Sequence, residues 1–229
     1  HDLTCYTFSS DNSNIRSLVL GSSTIRIKYF QWDLYPSTNL TFDEGTSTII
    51  ASSYTGGFQF YGGNLSYNKV IFAEDANISY ANNFDTLVFT PGKTYTLDAA
   101  KTQTINNYLD ANGSASFPIT VQSDAPGSQA TIYKGSGLVC ADYLNLVDMN
   151  ATGGATFRAG GNSVDLGNNT GWVFTCCTQC EDACSYDNTL DTTFAAPFLP
   201  GDSINISCVQ AGNLIRVTSL LAGLTYRIS

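Results

Sequence analysis

Charge is what this chain has least of. Asp, Glu, Lys and Arg make up 13% of its 229 residues, about half the usual share. Lys and Arg number 10 against 19 Asp and Glu, for a formal net charge of −9 and a pI near 4.3. A nucleic-acid partner needs a basic stripe, so none is expected. An anionic membrane surface is disfavoured on the same ground, and the acidic balance reads as a solubility device. No apolar run approaches the roughly 18 residues of a spanning helix, so no membrane insertion is expected.

Histidine is almost missing. His1 is the single one, which leaves no partner for a Ser–His–Asp triad and no second imidazole for a copper site at the N-terminus. The sequence has no phosphate loop, nucleotide fingerprint or Cys–His dyad, and no cofactor or metal is expected. Helical periodicity is missing as well. The chain opens on His1 without a signal peptide, and reads as a processed mature form or an excised fragment.

What is present is strand pattern. Short runs with apolar residues at alternate positions recur at Thr86–Phe89, Thr94–Leu97, Thr104–Leu109, Ile119–Gln122, Ala130–Tyr133, Tyr143–Val147, Ala155–Phe157 and Trp172–Phe174. Gly, Asn, Asp, Pro and Ser punctuate them. Period-two alternation marks strands with one buried face, and many such strands argue for an all-β fold. Sandwich, barrel and parallel β-helix all fit that period.

The wording of this stretch goes further. Leu87, Phe89, Gly92 to Leu97, Thr102 to Ile105, Pro118 to Thr120, Gln129 to Ile132, Tyr143 to Leu146, Gly153–Gly154 and Gly167 to Phe174 together resemble the right-handed parallel β-helix regions of secreted and cell-surface proteins of Bacteroidota. The resemblance spans roughly Thr38 to Phe174. It implies a right-handed β-helix over residues 38–175, with three short strands per coil, and a secreted or cell-surface location. Leu87, Phe89, Leu97, Ile105, Ile119, Val121, Ile132, Leu144 and Leu146 would then point inward in stacked columns. Gly56–Gly57, Gly62–Gly63, Gly153–Gly154 and Gly160–Gly161 would supply corners with positive φ.

The flanks read differently. Residues 1–37 are expected to hold a lone N-terminal strand (Leu3, Cys5, Tyr6, Phe8) and a cap. The most aromatic part, Tyr29, Phe30, Trp32 and Tyr35, is read as a hydrophobic cap over the core or as a sugar-stacking platform. After Phe174 the pattern changes. Residues 176–229 are expected to form a cysteine knot followed by a partial Ig-like antiparallel β-sheet of about four strands.

The cysteines are Cys5, Cys140, Cys176, Cys177, Cys180, Cys184 and Cys208. Their number points to an oxidising compartment and to disulfides, and being odd leaves one thiol over. Cys177 and Cys180 have C-x₂-C spacing, but a zinc site wants a second pair or histidines. N-glycosylation sequons fall at Asn39, Asn64, Asn77, Asn112, Asn150, Asn168 and Asn205. They fit a glycosylated eukaryotic or viral ectodomain, or chance in a bacterial chain rich in Asn, Ser and Thr. Asp85–Leu87 and Asp202–Ile204 look like the O-glycosylation triplet of the same bacterial group.

A polysaccharide lyase or hydrolase on a β-helix needs carboxylates gathered on one face. Here they are scattered: Asp43–Glu44, Glu74–Asp75, Asp142, Asp148 and Asp165. They read as solvated bends. The expected function is therefore an extracellular structural or adhesive surface protein, not an enzyme. It would form a fibre or filament with other copies of itself, residues 1–10 adding as a strand to a neighbour's sheet. A secreted carbohydrate-binding or polysaccharide-degrading protein, with surface glycans as partners, is the alternative.

Overall fold

A computed structural model describes residues 2–52 and 56–175, together with the backbone of residues 189–190 and 214–215. Every element among them is a β-strand. The chain forms two compact units, His1–Cys177 and Thr178–Ser229.

The first unit is a parallel β-solenoid, and it starts at once. β1 (Asp2–Cys5), β2 (Phe8–Ser9) and β3 (Arg16–Val19) make the first coil. β4 (Thr24–Ile27), β5 (Gln31–Asp33) and β6 (Leu40–Asp43) repeat it. Each strand pairs in parallel with its copy, Leu3 opposite Ile25, Phe8 opposite Trp32 and Leu18 opposite Phe42. β7 (Thr48–Ala51) and β8 (Phe58–Tyr61) follow. β9 (Ser66–Phe72) then bends round an edge. Its first residues pair on the third face, Ser66 with Asn83, and its last on the first face of the next coil, Phe72 with Ala51.

β10 (Ala76–Ser79) and β11 (Asn83–Phe89) repeat this layout, as do β12 (Thr94–Leu97) and β13 (Thr102–Asp110). The edge opens again in β14 (Ile119–Ser123), β15 (Ala130–Tyr133) and β16 (Leu138–Cys140). β17 (Leu144–Val147), β18 (Met149–Thr152) and β19 (Thr156–Arg158) form the next coil. β20 (Val164–Asp165) and β21 (Trp172–Val173) close the series. The middle face thus runs unbroken through eight parallel strands, β2-β5-β8-β10-β12-β14-β17-β20.

Parallel pairing in register turns the alternation of each strand into columns. One column on the middle face is Phe8, Trp32, Phe60, Ile78 and Leu97. On the first face Ile25, Ile49, Val70, Leu87 and Leu109 align. Each buried aromatic or branched side chain contributes roughly 1.5–3 kcal/mol relative to exposure. All nine residues expected inward, from Leu87 to Leu146, are at most 2% exposed. Tyr67 brings a polar handle into this core. Its hydroxyl donates to the Gly62 carbonyl at 2.8 Å and accepts from the Trp32 indole N–H at 3.1 Å. Burial pushes its phenol far above the usual tyrosine range.

The corners have their own chemistry. Between the middle and third faces each coil after the first places one residue in the left-handed region: Asn39, Asn64, Tyr80, Ala100, Gly127, Asp148 and Asn168, with φ from 53° to 82°. Asn, Asp and Gly tolerate that conformation best. Three of the seven sequon asparagines are therefore corner residues. At another corner a Cβ on Gly153 (φ 108°) would overlap the Lys134 carbonyl oxygen.

Two expectations change here. The solenoid begins at Asp2, not near Thr38, and residues 1–37 supply its first coils instead of a separate cap. Leu3, Cys5, Tyr6 and Phe8 belong to the terminal coil of their own chain, so they are not a lone strand. The reason lies in Ile25, Ile27, Trp32 and Leu34, which carry the inward pattern one coil further than the sequence wording suggested. Arg16 fastens this coil: its guanidinium donates to Ser10 Oγ and to the carbonyls of Ser10, Asn14, Pro36 and Thr38.

The boundary expected near Cys176 coincides with the end of the first unit. In the second unit, Thr189–Leu190 and Leu214–Ile215 pair in parallel. The remaining residues of the expected cysteine knot and Ig-like sheet lie outside the described residues.

Candidate functional site

The carboxylates were the sequence's best candidates for chemistry, and the solenoid uses most of them to satisfy backbone or side-chain donors. Asp98 Oδ2 accepts the Tyr80 N–H of the preceding coil at 2.7 Å, and Asp124 Oδ1 accepts the Ala99 N–H at 2.7 Å. One coil on, Asp148 accepts the Gly127 N–H at 3.0 Å and the Asn168 side-chain amide at 2.5 Å. The result is a ladder of acids along one corner, each reaching to a neighbouring coil. Bent backbone at a corner leaves N–H groups without a ladder partner, and a carboxylate satisfies them with a charge-assisted bond.

The other acids act alike. Asp75 accepts the Thr94 N–H, and Asp43 and Asp165 accept those of Gly45 and Gly167. Asp142 accepts from the Tyr143 and Asn162 N–H groups and the Asn162 side chain. Glu74 pairs with Lys93 at 2.5 Å. Asp148 corrects one expectation: it is 6% exposed, not a solvated bend residue. The Asn168 amide, then the Gly127 N–H, hold its carboxyl below the usual carboxylate range, against the effect of burial. Among the described residues no three His, Cys, Asp or Glu side chains come together in a way that would hold a metal.

The aromatic segment splits between two roles. Trp32 is fully buried and stacks on Phe8 with ring centroids 4.5 Å apart. Tyr29, Phe30 and Tyr35 lie outside, 44–49% exposed. β5 turns Trp32 inward, whereas Tyr29, Phe30 and Tyr35 lie beyond its ends, so the segment is neither wholly a cap nor wholly a platform.

Cys5 is a half-buried thiol outside any disulfide, and burial pushes its pKa up. It belongs to the first coil, whereas Cys140 lies in β16 near the other end of the series. Cys176, Cys177, Cys180, Cys184 and Cys208 lie outside the described residues. Of the sequon asparagines, Asn39, Asn64, Asn112 and Asn168 are exposed, and Asn77 and Asn150 are half-buried. Asn205 lies outside the described residues. Asn150 belongs to an outward ladder, donating to Thr131 Oγ1 at 3.3 Å and accepting from Thr170 Oγ1 at 2.7 Å. Asn64 uses only its oxygen, which accepts the Ala81 N–H.

Sequence reasoning missed Lys134. It is 7% exposed and donates to the Asn106 and Asn107 carbonyls at 3.3 and 2.5 Å. Those residues form the irregularity in β13 where the pairing with β11 slips by one. A lone Lys between Tyr133 and Gly135 carries no signal of this in the sequence.

Comparison of the chain with family models, with curated proteins and with solved structures returned no match.

Proposed function

We propose that this chain is an extracellular structural or adhesive surface protein, built as a right-handed β-helix of the Bacteroidota type. The observation that carries the reading is the corner ladder Asp98–Asp124–Asp148. Groups that would supply acid–base chemistry in a β-helix enzyme are used here to tie one coil to the next. A rod braced in this way suits spacing and display. The cysteines and sequons favour a secreted location, and the alternation in residues 189–228 favours a partial Ig-like module at the C-terminal end. The described pair Thr189–Leu190 and Leu214–Ile215 is parallel, so an antiparallel sheet there would use the intervening segments.

Assembly into a fibre through residues 1–10 remains part of the proposal. β1 and β2 pair on one side with the next coil of their own chain, Leu3 with Ile25 and Phe8 with Trp32, so strand addition by residues 1–10 would use their other side. Electron microscopy of native material is the test. Fibres, or rods on a cell surface, are expected. A dispersed particle that cleaves pectin- or alginate-type polymers would overturn the reading.

Carbohydrate binding is the second reading, favoured by one observation. Thr102, Thr131, Asn150 and Thr170 align outward on the third face, repeating polar groups at about 4.8 Å, the spacing of neighbouring strands. Binding to a repetitive polysaccharide on a glycan array would support this reading over the first.

A further inference from the structure

Three successive coils each place one tyrosine at the same outer edge. Tyr35 and Tyr80 stack with centroids 4.1 Å apart and planes at 16°, and Tyr61 leans on Tyr80 at 6.4 Å and 54°. Tyr35 is 44% exposed and the other two are half-buried. Tyr80 occupies a corner position where its counterparts include Asn39, Asn64 and Asn168, and it adopts φ 69°. A bulky residue in the left-handed region carries strain. Here the strained backbone holds a ring against Tyr35.

The platform is fixed from behind. The Tyr80 N–H donates to Asp98 Oδ2, and the Tyr80 carbonyl accepts at 2.6 Å from Gln103, whose side chain is fully buried. The Tyr35 N–H donates to Asp33 Oδ1 at 2.9 Å. The surroundings are short of positive charge. Burial, then Tyr35, Asp98, Asp33 and Tyr61, push the Tyr80 phenol up. Arg16 reaches the Pro36 carbonyl beside Tyr35, yet all five of its N–H donors already serve carbonyls and Ser10 Oγ.

Exposed π-faces beside carboxylates select a cation, and a planar guanidinium fits best because it stacks on a ring while pairing with a carboxylate. We propose that Tyr35, Tyr61 and Tyr80, with Asp33 and Asp98, form a surface receptor for an arginine side chain of a basic polypeptide partner. A neutral sugar would stack on the same rings and donate hydroxyl hydrogen bonds to a carboxylate, but it lacks the charge attraction that a cation gains from both. The inference is independent of whether the rod is structural or glycan-binding.

The test is a ¹H–¹⁵N NMR titration of the whole chain with N-acetylarginine amide, with tetramethylammonium and methyl glucopyranoside in parallel. Tyr35, Tyr61, Tyr80 and Asp33 signals are expected to move with the arginine probe, more weakly with tetramethylammonium, and not with the glucoside. The response should fall as salt rises to about 0.5 M, where charges are screened within a few ångström. Tyr80→Asn keeps a side chain suited to the corner and removes the ring, so affinity should drop by roughly three- to tenfold by this ring–cation argument. Tyr35→Ser, at an exposed position, is the second variant and should weaken binding likewise. Unmoved signals, an equal response to the glucoside, or undiminished binding by the folded variants would each overturn the proposal.

Discussion

The Lys134 ammonium donates to the Asn107 carbonyl from within the solenoid, at 2.5 Å. A buried cation is costly unless its donors are met, and here backbone carbonyls meet them. The extra residue in β13 turns the Asn106 and Asn107 carbonyls out of the ladder, and Lys134 from the next coil satisfies both.

Lys134→Met should keep the packing of the stem and lose only these bonds, at a cost on the order of 1–3 kcal/mol. Lys134→Ala should cost more, since it also opens a cavity. Chemical denaturation of both variants checks the order. Equal, negligible losses would mean that water serves the carbonyls as well as the lysine does.

Asp148 gives the fold a pH dependence of known sign. Its folded pKa lies below the ordinary carboxylate value. Its contribution is therefore present above the unfolded pKa, about 4, and is lost as pH falls through the folded value. Asp148→Asn, which still suits the left-handed corner, should flatten the loss of stability in that acid window. Denaturation midpoints from neutral pH down to about pH 2 measure it, and parallel curves for the two proteins would refute it.

Gly127 and Gly153 both have positive φ, but only one has room. Nothing lies within 4 Å of a Cβ built on Gly127, whereas on Gly153 it would overlap the Lys134 carbonyl. Gly127→Asn should be near neutral, within about 1 kcal/mol. Gly153→Ala should lose roughly 2 kcal/mol or more, from strain and displaced backbone. Thermal unfolding of the pair is the check.

Tyr67→Phe should be costly although it removes a single oxygen. That oxygen bridges the Trp32 indole and the Gly62 carbonyl inside the core. Its loss orphans a buried donor, for about 1–3 kcal/mol. A stability change below about 0.5 kcal/mol, the range of innocuous surface substitutions, would show that the bridge is dispensable.

Much of the architecture was legible because coil stacking repeats a local pattern. The inward residues from Leu87 to Leu146 follow from alternation once the β-helix that the resemblance implies is taken as the fold. β18 was not recognised, because in Met149–Thr152 the inward residues are only Met149 and Ala151. The sequence puts the start of the solenoid too late, since the first coils keep the alternation without the phrases that carry the resemblance.

The amino-acid sequence by itself determined that the described residues are built of short strands with one buried face, punctuated by Asn, Asp and Gly. Period and turn chemistry are local properties, so they can be read from neighbours in the chain. Tertiary structure decided what the polar residues do. Asp98, Asp124 and Asp148 stand 24 to 26 residues apart in sequence and act on adjacent coils, and Tyr35 meets Tyr80 only because their coils stack. Coil lengths vary, so no fixed spacing announces such contacts, and only parallel register brings these groups together.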